Sequence, residues 1–162
     1  MKIKTVHVTT LLAIGTMLSA ASWPNKPMST AQAAPFGDRY WVLTSTTIHP
    51  ALDVDMDGEP DTDLTILREP CERDDASKYR SDGVILTDHG SERCDEEEGH
   101  EEETGTWSYD ASTKTVTMDH YHSDKPVIAT VSSASSTKIV LTSRHESAHG
   151  THTITAVMTP RN

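Results

Sequence analysis

The 162-residue chain carries a net charge of −11, with 25 acidic against 14 basic side chains. That balance argues against nucleic acid, whose phosphates need lysine and arginine partners. It also disfavours anionic membrane surfaces and suits solubility and cation binding.

The N-terminus reads as a secretory signal over residues 1–33. Lys2 and Lys4 form a basic start, an apolar run from Val6 to Leu18 follows, and Ala31-Gln32-Ala33 fits the small-residue cleavage pattern. Ser19-Ala20-Ala21 is a second cleavage point. The run is shorter than the roughly 20 apolar residues of a membrane span, so no transmembrane segment is expected. No cysteine follows the run, so a lipid anchor is not expected either. Cleavage after Ala33 removes three lysines and no acid, leaving 129 residues at a net charge of −14, one domain over 34–162. The protein is expected to be secreted or periplasmic.

Residues 22–37, rich in Pro, Ala and Ser, read as a tail or processing region. Short β segments split by turns come next. Tyr40 to Ile48 is the first, and an acidic loop from Asp53 to Asp63 and a brief apolar piece at Leu64 to Leu67 follow it. Ser77 to Arg80 and Val84 to Thr87 flank Asp82-Gly83, a hairpin turn signal. Gly90 to Glu103 reads as a second acidic loop. Thr104 to Tyr109 and Thr115 to His122 flank a turn at 110–114. Val127 to Ser133, Lys138 to Ser143 and Thr151 to Thr159 complete about eight strands, with no long helix. Thr115 to Asp119 and Thr151 to Met158 alternate in polarity, so each has one buried and one wet face. The fold expected is all-β: an up-and-down antiparallel barrel, which removes the exposed edges of an open sheet. A two-sheet sandwich is the alternative.

Asp53, Asp55 and Asp57, followed by Gly58 and Asp61, match the alternating carboxylates of a calcium loop. Leu64 stands where an EF-hand closes with Glu, so the pattern is that of a shorter extracellular calcium loop. A solvated acidic loop is the alternative. Asp95 to Glu103 carries like charges too dense to pack, which reads as a solvated loop or a weak cation binder. His145-Glu146-Ser147-Ala148-His149 matches the HExxH zinc-protease pattern, but that chemistry needs a helix. The Thr-rich surroundings favour strand, so the match reads as chance within a hairpin. His120 and His122 would share a strand face, and His145, His149 and His152 lie close together, which leaves a looser transition-metal hypothesis. No G-x-S-x-G and no glycine-rich phosphate loop occurs, and Asp74-Asp75, read as strand neighbours, point apart. A non-enzyme is expected.

Cys71 and Cys94 are the two cysteines. Export makes a disulfide the expectation, contributing on the order of 3 kcal/mol, with a free thiol as the alternative.

Taken together, Tyr40-Trp41-Val42-Leu43-Thr44, Thr62-Asp63-Leu64, Pro70-Cys71-Glu72-Arg73-Asp74-Asp75, Ser81-Asp82-Gly83, Gly90 and Cys94, Glu103-Thr104-Gly105-Thr106-Trp107-Ser108 and Ile139-Val140-Leu141-Thr142 resemble, in order and spacing, the bacterial lipocalin-like domain family. The resemblance implies a calycin-type barrel, a Cys71–Cys94 bridge, an extracytoplasmic location and no general catalytic activity. The chain departs from it in lacking a lipobox cysteine and in placing Gly37 four residues before Trp41. The function expected is binding of a small apolar or amphipathic molecule, with Trp41, Leu43, Leu86, Trp107, Met118 and Leu141, and with them Val84, Val116, Ile139, Ile154, Ala156 and Met158, as lining or core. The alternative is a calcium-stabilised structural or adhesive module.

Overall fold

A computed structural model describes residues 34–95 and 99–161. Residues 1–33, the expected secretory signal, lie outside the described residues. Among the described residues nine strands form: β1 (Tyr40–Leu52), β2 (Asp61–Asp63), β3 (Ala76–Tyr79), β4 (Val84–Asp88), β5 (Glu101–Asp110), β6 (Thr115–His120), β7 (Val127–Ala134), β8 (Ile139–Ser147) and β9 (Gly150–Pro160). All pairings are antiparallel, in the order β2-β1-β3-β4-β5-β6-β7-β8-β9, and β9 pairs back onto β1 from Trp41–Pro160 to His49–Thr153. That last ladder closes eight strands into an up-and-down barrel and excludes the sandwich. The ninth strand, β2, hangs on β1 beyond the point where β3 ends.

Local chemistry explains most turns. Gly83 takes φ 88° after Asp82, the left-handed geometry a tight hairpin needs. Asp110 Oδ1 accepts from the Ser112 backbone N–H at 2.8 Å, folding the β5–β6 turn. Leu64–Leu67 forms no strand. It is a 3-10 turn capped by Asp63, with Ile66 and Leu67 exposed.

The barrel interior is one packed cluster. Trp41, Trp107, Val116, Met118, Ile139, Leu141 and Met158 are buried in it, and Leu43 and Ala156 pack against it. Leu86 and Val84 do not belong: Ile85 is fully buried and its neighbours face the other way. The run Val84-Ile85-Leu86 is apolar throughout, so its phase is set by the Tyr79–Ile85 pairing across β3 and β4.

Phe36 corrects the tail reading for the last residues of 22–37, of which 34–37 are described. It is 2 % exposed and plugs the end of the barrel where the β3–β4, β5–β6 and β7–β8 turns lie. Its ring meets Tyr79, Trp107 and Tyr109, each at 5.7 Å between centroids. Its carbonyl accepts from Trp41 Nε1 at 2.8 Å. Tyr79 lies wholly inside, its hydroxyl facing the sulfurs of Met118 and Met158, and burial pushes its pKa up to about 12.

β5 begins earlier than its charge suggests: Glu101, Glu102 and Glu103 pair with Asp88, Thr87 and Leu86. Gly105, opposite both Ile85 and His120, sits where a Cβ would lie 2.4 Å from the Asp119 carbonyl oxygen. Gly105→Ala is therefore expected to destabilise the barrel by about 1–3 kcal/mol, because the obstacle is strand backbone and not a movable side chain. Urea unfolding of the variant checks this.

Candidate functional site

The acidic loop and the histidine-rich hairpin lie at the end opposite Phe36, where the β1–β2, β4–β5, β6–β7 and β8–β9 connections fall. Between β1 and β2, the Leu52–Asp61 pairing brings the two ends of the acidic loop together. Carboxylate oxygens of Asp53, Asp55 and Asp61 consequently lie within 4.8 Å of one another. The loop is braced by its own backbone. Val54 N–H donates to Asp61 at 3.1 Å and Gly58 N–H donates to Asp53 at 3.0 Å. Gly58 at φ 96° and Met56 at φ 63° supply the curl. Asp57 stands outside the group; its Oδ1 accepts from the Glu59 N–H at 2.8 Å. Asp53 and Asp55 are exposed and Asp61 is half-buried, so three like charges converge with water on one side. Hard cations such as calcium take such oxygens together with carbonyls and water.

A second corner surrounds the cysteines, which form a disulfide between Cys71, in a 3-10 turn at Pro70–Glu72, and Cys94. Asp74 and Asp75 follow that turn and precede β3, so they are not strand neighbours, yet they still part. Asp74 Oδ2 accepts from Ser91, from the backbone N–H at 2.7 Å and the hydroxyl at 2.9 Å. Those bonds lower its pKa. Asp75 turns toward buried His89, Oδ2 to Nδ1 at 3.6 Å, and Glu102 approaches His89 Nε2 at 3.2 Å. Burial raises the Asp75 pKa, against the opposing pull of His89 and Arg68. Asp88 is held by Arg161, which lowers its pKa. Asp74, Asp88, Gly90, Ser91, His100 and Arg161 line a crevice of about 440 Å³ here. Within it Asp88 is paired with Arg161, and Asp74 is held by the Ser91 backbone and hydroxyl. Sequence reasoning missed His89, and nothing in its neighbourhood signals burial; only the fold sets it between two carboxylates.

The histidine-rich segment lies on the β8–β9 hairpin. His145, Glu146 and Ser147 belong to β8, and His149 is in the turn, so the helix that HExxH chemistry needs is not formed. His145 and Glu146 point to opposite faces, and Glu146 accepts from Thr151 Oγ1 at 2.8 Å. His152, directly across from His145, is buried. Its Nδ1 donates to the Pro50 carbonyl at 2.8 Å, and its Nε2 meets Ser147 Oγ at 3.0 Å. Both ring nitrogens are thus engaged within the barrel. His120 and His122 do not share a strand face, because β6 ends at His120 and His122 lies in the following turn.

Among the described residues no helix is long and apolar enough to cross a membrane. Compared with protein-family models, with curated proteins and with solved structures, the chain matches none.

Proposed function

We propose that the protein is an exported, non-enzymatic, lipocalin-like barrel that serves as a calcium-stabilised structural or adhesive module. The observation that carries this reading is the convergence of Asp53, Asp55 and Asp61 across the β1–β2 connection. Calcium binding there would relieve the repulsion among the three carboxylates and clamp β2 to the end of β1. The disulfide supports the exported setting, since such bonds persist in oxidising compartments.

The test is thermal unfolding with calcium and with chelator. At extracellular affinities of about 10⁻⁴ M, 10 mM calcium stabilises by about 2–3 kcal/mol, a rise in Tm of about 5–10 °C. Asp55→Ala is expected to abolish that rise while leaving the Tm in chelator near the parent value. An equal calcium response in parent and variant sinks the reading.

The second reading is uptake of a small apolar or amphipathic molecule among Trp41, Trp107, Met118 and Leu141. What favours it is the pair Met118 and Met158 around Tyr79, since thioethers deform to admit a guest. An apolar fluorescent probe taken up by the folded protein, with no calcium response, selects this reading.

A further inference from the structure

The β7–β8 ladder runs from Ala134–Ile139 to Thr130–Thr142 and stops there. β8 nonetheless continues to Ser147, paired on its other side with β9 through Ser147–Gly150. Val127, Ile128 and Ala129 remain paired with β6 but not with β8. Among the described residues the stretch Ser143 to Ser147 is therefore a strand edge, its alternate backbone donors and acceptors turned away from β9. Beside it, Ile128, Thr130, Thr142, Ser143 and Arg144 line a groove of about 460 Å³.

The sequence along this edge is Ser143-Arg144-His145-Glu146-Ser147. An antiparallel strand related to it by a two-fold axis through His145 sets Ser143 opposite Ser147, Arg144 opposite Glu146, and His145 opposite its own copy. The segment is thus complementary to itself in charge. Arg144 is exposed, and among the described residues its guanidinium has no ion pair or hydrogen bond. Glu146 is exposed too, its carboxylate accepting from the Thr151 hydroxyl on the same hairpin. Edge charges of this kind discourage indiscriminate strand addition, and they favour the one partner that supplies the opposite sign at each position.

We infer that β8 is a self-recognition edge: two copies of this chain join antiparallel through Ser143–Ser147, extending the sheet as β9-β8-β8-β9. Each dimer contains two Arg144–Glu146 contacts between copies. A contact of one short strand buries less than the ~1,000 Å² of a stable complex, so association is weak and concentration-dependent.

Analytical ultracentrifugation of the purified protein over a range of concentrations tests this. The parent is expected to show a reversible monomer–dimer equilibrium. Arg144→Glu sets like charges face to face and is expected to weaken the dimer about tenfold or more. Arg144→Glu with Glu146→Arg restores opposite signs and is expected to recover the parent equilibrium. A mixture of the two single variants is expected to form mixed dimers more strongly than either alone. Both positions are exposed, so an unchanged Tm in each variant shows that folding is not the cause. A parent that stays monomeric at every concentration, including one that captures only unrelated extended peptides, overturns the inference. So does a dimer indifferent to Arg144→Glu, or one the double exchange does not restore.

Discussion

Phe36→Ala is expected to cost about 3–5 kcal/mol of unfolding free energy, the range for removing a fully buried aromatic side chain. Phe36 closes the barrel against Tyr79, Trp107 and Tyr109 and fixes Trp41 through its carbonyl. Little surrounding it can relax into the void, because its neighbours are themselves held. Trp107 Nε1 donates to the Arg80 carbonyl at 2.8 Å, and Trp41 is bonded to the plug's own backbone. A chemically induced unfolding curve of the variant gives the value, and Phe36→Leu, which keeps most of the volume, is expected to lose less than half as much. A variant within experimental error of the parent would mean that the segment before β1 is no part of the barrel.

The second large effect concerns the Cys71–Cys94 bridge, which closes a loop across a sequence separation of 23. Replacing both cysteines with serine is expected to destabilise the protein by about 3 kcal/mol, through the entropy returned to the unfolded chain. For a domain of this size that lowers Tm by about 10 °C. Neither 3-10 turn at this corner contains a buried residue, and its ties include polar ones: Arg68 to the Leu43 and Glu72 carbonyls, Asp74 to Ser91, and His89 between Asp75 and Glu102. Reductant should reproduce the shift in the parent and leave the double variant unchanged.

Much of the architecture was legible in the order of residues, because it rests on local chemistry. Asp82-Gly83 specifies its own turn, and the alternation from Thr115 and from Thr151 specifies a one-sided strand wherever that strand is placed. The barrel's strand count and antiparallel order follow from short connections, and the cost of open edges favours closure, which the β1–β9 ladder decides against the sandwich. The Asp53–Asp61 loop was also legible as a carboxylate array, since its curl depends on Gly58 and on aspartates bonding nearby backbone.

Other features required the tertiary structure, and each has a long-range cause. Val84-Ile85-Leu86 carries no alternation, so only pairing with β3 decides that Ile85 faces inward. Glu101 to Glu103 look like solvated loop because their charge outweighs their strand preference, but β4 offers them a ladder. Phe36 sits among turn-forming residues, and its burial comes from rings that follow it by more than forty positions. Asp57 carries the right spacing for a ligand, yet the folded loop leaves its carboxylate outside the group formed by Asp53, Asp55 and Asp61. The reading of 1–33 as an export signal and the cysteine count rest on sequence alone, whereas the closed barrel and its plug exist only once β9 has paired with β1, and the edge of β8 follows from where its ladder with β7 stops.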